Sequence, residues 1–126
     1  MMFHQKIINF SLINSSGQQI ILLNENKLNY SCTIFNVKCG ESFILQAQIC
    51  DDNDSHIKTF KSNISIEEKS IKALKEDNYG FNSYVYNVNE LNLNELSDGV
   101  YKMKLFLVDP NGNVLDNCCS YFILKS

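Results

Sequence analysis

The sequence predicts an all-β fold, an immunoglobulin-like antiparallel β-sandwich of about eight strands with one short helix near residues 66–77. Three observations support this prediction. Apolar and polar residues alternate with a period of two in several short segments, and turn-forming residues separate these segments. The chain of 126 residues is long enough to bury a hydrophobic core as one domain. We therefore expect residues 1–126 to form a single β-sandwich domain in which two sheets pack face to face.

Two strands are predicted in the N-terminal part of the chain. In residues 6–14, alternation places three apolar side chains on one face, because successive side chains of a strand point to opposite sides. These are Ile8, Phe10 and Leu12. A Ser-Ser-Gly turn follows at residues 15–17, and residues 19–23 form a second, short strand.

Three strands in the middle of the chain show clear alternation, at residues 28–34, 42–50 and 56–66. Each places apolar residues on one face, which we expect to be buried, and polar residues on the other. The residues predicted to face inward are Leu28, Tyr30, Cys32, Ile34, Phe43, Leu45, Ala47, Ile49, Phe60, Ile64 and Ile66.

The segment that follows departs from this alternation. Ser65 and Glu68 have the spacing of a helix capping box, and residues 67–76 are mostly good helix formers. Ile71 and Leu74 share one side of such a helix, and Asn78 and Gly80 can end it. This pattern predicts a short helix or helical turn that crosses between the two sheets.

The C-terminal part is predicted to contain three strands, at residues 81–88, 100–108 and 114–124. The first has apolar or aromatic residues on both faces, which is typical of a central strand. The second places Tyr101, Met103, Leu105 and Leu107 on one face, and the third continues through Cys119, Tyr121 and Ile123. Between the last two lies a D-P-N-G-N turn, in which proline presets φ and glycine accepts a positive φ, so they form a hairpin.

Composition and charge exclude several classes of function. Apolar residues make up 44% of the chain and charged residues 20%, which is typical of globular proteins. The net charge of −3 does not provide the basic surface that nucleic-acid binding requires, so we expect no nucleic-acid partner. No apolar segment approaches the roughly 20 residues that span a bilayer, and no signal peptide is recognisable. We expect a cytoplasmic location and no insertion into a membrane.

Residues capable of catalysis or metal binding are few and scattered. His4 lies near a terminus, and His56 opens a predicted strand after an acidic loop. Cys50 is close to His56 in sequence, but the two lie at opposite ends of that loop and do not form a catalytic pair, so we expect no catalytic residues and no enzyme activity. Residues 51–55 are rich in Asp, Asn and Ser but lack the glycine and glutamate of a calcium loop, which favours a solvated hairpin turn. The five cysteines are Cys32, Cys39, Cys50, Cys118 and Cys119; none forms a C-x-x-C pair, and we expect ordinary packing of free thiols. We therefore expect no metal and no cofactor.

One stretch of the chain combines aromatic and amide side chains. Its candidate ligand-binding residues are Tyr79, Asn82, Tyr84 and Tyr86. Aromatic rings stack on sugar rings and amides bond to hydroxyl groups, so this mixture suits a glycan or a protein partner. The alternative is that the tyrosines are ordinary amphipathic residues of a sheet.

The chain also resembles a known family in part of its sequence. Residues 37–43 contain a Gly-Glu step before an apolar strand, residues 96–101 read L-S-D-G-V-Y, and a closing strand runs from Asp116 through Phe122. This sequence pattern resembles that of the carbohydrate-binding C-terminal domain of polysaccharide-export ABC transporter ATPases over about the last two-thirds of the chain. The resemblance implies a β-sandwich that recognises the end of a polysaccharide, often as a dimer with exchanged strands. The ATPase domain is absent from this sequence and residues 67–78 fit the family poorly, so no binding residue is transferred.

Two functions from different classes follow from these observations. The first is a non-catalytic module that binds a polysaccharide or another glycan. The alternative is a structural protein-interaction module, such as a virion decoration, a baseplate protein or an adaptor, which would bind through an edge strand or an exposed apolar patch. A homodimer is compatible with either function.

Overall fold

The computed structural model describes residues 5–70, 72–73 and 82–125. Within these ranges the chain forms seven long strands and two strands of two residues each, with one short 3-10 helix at Glu68–Ser70. The strands are β1 (Lys6–Ile13), β2 (Leu22–Leu23), β3 (Lys27–Phe35), β4 (Ser42–Asp51), β5 (His56–Ser65), β6 (Lys72–Ala73), β7 (Asn82–Asn92), β8 (Gly99–Val108) and β9 (Val114–Leu124).

The strands form two sheets that pack face to face. One sheet has four strands in the order β1-β3-β7-β6, and the other has five in the order β2-β9-β8-β4-β5. Neighbouring strands are antiparallel except for the short parallel pair of β2 and β9. The prediction of an all-β sandwich with about eight strands is therefore confirmed.

The core lies between the sheets and is filled by the alternating apolar residues of β3, β4 and β8. The predicted inward residues of these three strands are all buried, and Leu28, Cys32, Ile34, Leu45, Ala47, Ile49, Met103, Leu105 and Leu107 are fully enclosed. The rings of Tyr101 and Phe122 stack with centroids 5.6 Å apart. Each fully buried side chain of the size of leucine contributes about 1.5–3 kcal/mol relative to exposure, which is why period-two alternation decides which face becomes the core.

The inward face of β1 differs from the prediction because the strand contains a bulge. Asn9 has a φ of 56°, and the pairing of β1 with β3 shifts between Ile8 and Ser11. The extra residue reverses the alternation, so Ile8 is 39% exposed while Ile7 packs against the core with Phe10 and Leu12. The predicted placement of Ile8 beside Phe10 and Leu12 is therefore wrong.

The helix predicted near residues 66–77 is also wrong in the part that the structure describes. Only the 3-10 helix at Glu68–Ser70 forms there, and Lys72 and Ala73 pair as β6 with Ser83 and Asn82; residues 71 and 74–77 lie outside the described residues. A helix of about ten residues is marginal without a packed face, whereas extended backbone gains hydrogen bonds from β7. The segment does connect the two sheets, since β5 and β6 belong to different ones.

The predicted hairpin turn between β8 and β9 is confirmed. Gly112 has a φ of 87°, and the Asp109 carboxylate accepts hydrogen bonds from the backbone N–H groups of Asn111 (2.9 Å) and Asn113 (2.8 Å). In β9, Phe122 and Leu124 are buried, whereas Cys119, Tyr121 and Ile123 face outward. These outward residues matter for the surfaces described next.

Candidate functional site

Three of the four ligand-binding residues predicted from the sequence lie on one strand, β7. The register pairs Tyr84 with Ile34 and Tyr86 with Cys32, so both tyrosines share the inner face with these buried residues. Their rings stack with centroids 6.1 Å apart, and both side chains are half-buried against the core. Burial, the neighbouring Tyr86 and the Glu67 charge raise the pKa of Tyr84.

This geometry places the tyrosine pair at the border of the core. Asn82 is half-buried at the start of the same strand, and its backbone carbonyl accepts hydrogen bonds from the N–H groups of Asn36 and Val37. Tyr79 lies outside the described residues. Asn82, Tyr84 and Tyr86 are therefore aligned on one strand face, but that face points between the sheets, and only the half-exposed parts of the rings are open to a ligand.

A polar cavity lies at the end of the sandwich where β3 begins and β7 ends. Its volume is about 490 Å³, within the range of sites that bind small molecules. All of its lining side chains are polar or charged: Ser15, Glu25, Asn26, Lys27, Glu90, Asn92 and Asn94. Hydroxyl, amide, carboxylate and ammonium groups together provide both donors and acceptors of hydrogen bonds.

A buried asparagine beneath the polar cavity holds its wall in place. The Asn29 side chain is 9% exposed; its oxygen accepts a hydrogen bond from the Glu90 backbone N–H (2.6 Å), and its amide donates to the Asn14 carbonyl (3.1 Å). The ladder between β3 and β7 shifts register beside it, and Glu90 has a φ of 59°. The Asn29 side chain thus links Asn14, the start of β3 and the end of β7 through two hydrogen bonds.

The rim of the polar cavity is fixed by further polar contacts. The Glu25 carboxylate accepts hydrogen bonds from the hydroxyl (2.6 Å) and the backbone N–H (3.2 Å) of Ser15. On the far side, Lys58 of β5 donates to the Asn92 carbonyl (3.1 Å) and to Glu95 (3.0 Å), which ties the edge of the other sheet to the end of β7. The Glu90 carboxylate is the most exposed charge here, with Lys27 at 3.8 Å.

The opposite end of the sandwich contains two adjoining grooves of about 430 Å³ and 360 Å³, which share Ser42, Phe43 and Pro110. The carboxylates at this end already accept hydrogen bonds from neighbouring groups. Glu41 accepts hydrogen bonds from the Lys38 backbone N–H (2.5 Å) and from the Gln5 amide (3.1 Å). Hydrogen bonds from backbone groups of the turn lower the pKa of Asp109.

An apolar strip lies on the outer face of the five-stranded sheet. It consists of Leu22, Val100, Tyr121 and Ile123, which are 39–56% exposed. Leu22 pairs with Ile123 and Ile123 with Val100, so three of them form a row across three strands. Lys102 lies over the Tyr121 ring at 5.5 Å and bonds to Asp54 at 2.9 Å, which bounds the strip on one side.

The residues considered for catalysis and metal binding are held in local turns. His56 shares a hydrogen bond of 2.6 Å with the Thr59 hydroxyl, and the Asp51 carboxylate caps its own turn through the N–H groups of Asn53 and Ser55. The hydrogen bond and the charge of Lys102 lower the pKa of Asp54. Among the residues that the structure describes, no group of three or more His, Cys, Asp or Glu side chains is arranged to hold a metal ion. His4 lies outside the described residues, and the absence of enzyme activity stays a prediction.

Comparisons with known proteins identify the fold. No family model and no curated protein match this chain. Two solved structures of a bacterial adhesin from Mobiluncus mulieris, which contains intramolecular disulfide, isopeptide and ester bond cross-links, superpose with TM-scores of 0.64 and 0.63. The chain thus has the fold of the matched part of this adhesin.

The likeness concerns architecture and not sequence. Identity to both adhesin structures is 8%, and the superposition covers 98% of this chain but only 58% of the adhesin chain. The chain therefore spans little more than half the length of the adhesin it matches. In addition, no helix among the described residues is long and apolar enough to cross a membrane.

Proposed function

We propose that this chain is a non-catalytic binding module that recognises a glycan in the polar cavity. The observation that carries the proposal is the lining of this cavity, where seven polar or charged side chains meet in a volume of about 490 Å³. Sugars present many hydroxyl groups, and amide and carboxylate side chains bond to them as donors and acceptors. A wall already held by Asn29 reduces the ordering cost of binding.

Two further observations favour this function. The fold is shared with part of a bacterial adhesin. The sequence pattern of residues 96–101 and 116–122 resembles that of a polysaccharide-recognition domain. The ligand class that we propose is a polysaccharide. The half-buried Tyr84 and Tyr86 form an alternative surface that could contact it in place of the polar cavity. The cytoplasmic location expected from the sequence stays a prediction.

The first experiment measures glycan binding by the intact chain. An array of bacterial capsular polysaccharides and O-antigens identifies a ligand, and calorimetry then compares wild type with Glu90→Gln and Asn92→Ala. We expect each variant to weaken binding about tenfold, because Asn92→Ala removes an amide that can bond to a sugar hydroxyl and Glu90→Gln replaces a charge-assisted hydrogen bond with a weaker neutral one. The matched control is Asn117→Ala, an exposed position on β9 outside the cavity, which we expect to leave the affinity unchanged.

Two results would oppose the proposal. A folded wild-type sample that binds no polysaccharide at millimolar concentration rules out the ligand class. Binding that is insensitive to Glu90→Gln and Asn92→Ala but lost in Tyr84→Phe, Tyr86→Phe or Tyr79→Phe moves the site to the tyrosine stretch.

The second candidate function is a protein-interaction module, and the apolar strip favours it. A row of exposed apolar side chains on a sheet face is typical of surfaces that associate. We propose a second copy of the chain as its occupant, since a two-fold axis through the strip covers the same residues on both copies. Sedimentation of the wild type and of Val100→Lys tests this: a concentration-dependent dimer that the substitution abolishes supports it, and a wild type that stays monomeric at high concentration opposes it.

A further inference from the structure

In the described part of the chain, the two sheets end in four edge strands, and β5 is the least protected of them. β2 and β6 are each two residues long. β1 contains the bulge at Asn9 and packs along β9, where the Ile7 N–H bonds to the Asp116 carboxylate. β5 is ten residues long, pairs only with β4 among the described strands, and contains no proline. Because short length, bulges and proline are what keep further strands from an edge, β5 is open to one.

Hydrogen bonds at both ends of β5 establish which of its backbone groups face β4. After the strand, the Ile66 N–H donates to the Glu41 carbonyl (2.8 Å), and the Ile66 carbonyl accepts from the Gly40 N–H (2.9 Å). Before the strand, the Ser55 carbonyl accepts from the Asp51 N–H (3.0 Å), and one shift in register lies between these two ends. Successive residues of a strand direct their N–H and C=O groups to alternate sides, so the pattern can be counted back from Ile66.

This count separates the residues of β5 into an inward and an outward set. Every second residue before Ile66 directs its backbone groups toward β4, and the residues between them direct theirs to the open edge. The outward set is Thr59, Lys61, Asn63 and Ser65. Among the described residues, no hydrogen bond reaches the N–H or C=O groups of this set. These groups therefore form a regular row of donors and acceptors, to which an extended segment can pair.

The charge along this edge is positive at the centre and negative beyond both ends. Lys61 is exposed in the middle of the outward set, and among the described residues it forms no ion pair. The other lysine of β5, Lys58, is bonded to Glu95 at 3.0 Å. Asp52 lies in the turn before the strand and Glu67 follows it, and both are exposed. A carboxylate of a bound segment is therefore favoured opposite Lys61 and disfavoured at either end.

The smaller groove at this end of the sandwich, of about 360 Å³, adjoins the same edge. Asn63 and Ser65 line it on the side of the edge, and Ile44 and Pro110 line it on the side of the turn between β8 and β9. Ile44 pairs with Asn63, and both lie on the outer face of the sheet, whereas the preceding Phe43 is buried. An apolar side chain on the outer face of an added strand reaches this groove, since such a strand lies directly beside Asn63 and Ser65.

We propose that β5 binds an extended segment of a partner protein, which adds a sixth strand to the five-stranded sheet. The segment pairs with the backbone groups of the outward set, a carboxylate side chain lies opposite Lys61, and an apolar side chain enters the groove at Ile44. Backbone pairing supplies affinity that any extended segment shares, whereas the carboxylate and the apolar residue select the sequence. This surface is separate from the polar cavity, whose lining includes no described residue of β5.

The charge of β5 favours a partner of different sequence over a second copy of this chain. β5 contains two lysines and one histidine, and it has no carboxylate. Edge-to-edge pairing of two copies brings the lysines of both strands together with no acid of either strand between them, which is unfavourable. A segment with a central carboxylate instead neutralises Lys61.

The first experiment measures the binding of a synthetic peptide to the intact chain by fluorescence anisotropy. The probe is acetyl-S-T-V-T-I-T-E-T-V-T-amide with a fluorophore, in which threonine alternates with apolar residues around one glutamate. We expect saturable binding to wild type, and binding about fivefold weaker when glutamine replaces the glutamate. Lys61→Glu should bind the glutamate probe about tenfold more weakly than wild type and should prefer a probe with lysine at that position. The matched control is Asn117→Ala, an exposed position on β9, which should leave the affinity unchanged.

Two further measurements locate the probe on β5. Hydrogen exchange followed by NMR should slow about tenfold at the outward N–H groups of Lys61 and Asn63 in saturating probe, while the N–H of Ile64, which already faces β4, should not change. Asn63→Pro removes an outward N–H without breaking a bond to β4, so it should keep a Tm near that of wild type and lose probe binding. Should Asn63→Pro fail to fold, Lys61→Glu and the exchange measurement decide.

Four results would show that the proposal is wrong. They are a folded wild type that binds no probe at millimolar concentration, an affinity for the glutamate probe that is equal in wild type and Lys61→Glu, and slowed exchange at Tyr121 and Ile123 of the apolar strip in place of β5. The fourth is a dimer of the chain alone, seen in sedimentation, that Asn63→Pro dissociates, because a second copy then occupies the edge.

Discussion

The two ends of the sandwich have similar polar residues, but the hydrogen bonds of their carboxylates differ. Around Gly40 and Asp109, the carboxylates accept hydrogen bonds from backbone groups of their own turns. At the polar cavity, Ser15 engages Glu25 in a similar way, but the buried Asn29 side chain bonds to the Glu90 backbone N–H, and the Glu90 carboxylate extends into solvent with 73% of its side chain exposed. Glu90 is therefore the carboxylate most open to a ligand at this end, and a different side chain satisfies its backbone N–H.

The largest effect that this comparison predicts is that of Asn29→Ala. The substitution removes the side-chain partner of the Glu90 N–H and one of the two donors to the Asn14 carbonyl, which also accepts from the Gly17 N–H, so the free energy of unfolding should fall by about 1–3 kcal/mol. Urea unfolding measures the change. The control is Asn63→Ala, an exposed position on β5, for which we expect a change below about 0.5 kcal/mol. Equal effects for both substitutions would contradict the structural role of Asn29.

The second prediction concerns the hairpin turn at the opposite end. Gly112 has a φ of 87° with open space around its Cβ position, so Gly112→Ala should cost about 1–2 kcal/mol through backbone strain alone. The matched control is Gly99→Ala, which lies outside the left-handed region and meets only ordinary contacts with the Tyr101 ring at 3.8 Å. Thermal unfolding should therefore separate the two variants; a stable Gly112→Ala protein would show that this turn has another conformation.

The third prediction is that the Asp109 turn makes the stability of the protein depend on pH. Hydrogen bonds lower the pKa of Asp109 in the folded protein, so the unfolded chain binds the proton more readily. The stabilisation is complete above the unfolded pKa of about 3.9 and is lost as the pH falls through the lower folded pKa. Asp109→Asn should weaken this acid dependence in urea unfolding between pH 2 and 6. An unchanged profile would mean that other carboxylates cause it.

The smallest effect is expected at the rim of the polar cavity. Glu90→Gln keeps the shape of the side chain and removes only an exposed ion pair with Lys27 at 3.8 Å, so Tm should stay within about 1 °C of wild type. A large loss of stability would show that Glu90 holds the fold together. Its effect on glycan binding could then not be assigned to direct contact.

Local patterns predicted much of the fold and less of the candidate site. Alternation correctly predicted the buried residues of β3, β4 and β8, and the D-P-N-G-N sequence predicted the last hairpin. Alternation gave the wrong face for Ile8, because one bulged residue reverses the two faces of β1. The helix-forming pattern after Ser65 was also misleading, because Lys72 and Ala73 pair with β7 instead. Tyr84 and Tyr86 were predicted as ligand contacts from their chemistry; the register with β3 places them half-buried at the border of the core, and their role in binding stays a prediction.

The sequence by itself determined that this protein is a β-sandwich, because burying alternate apolar side chains stabilises one pairing of faces over all others. Only the tertiary structure decided which distant residues meet. Asn29 resembles the many other asparagines of the chain until the fold places it between Asn14 and Glu90. Such contacts between segments far apart in the chain depend on how the sheets assemble, and they leave no mark in the local sequence.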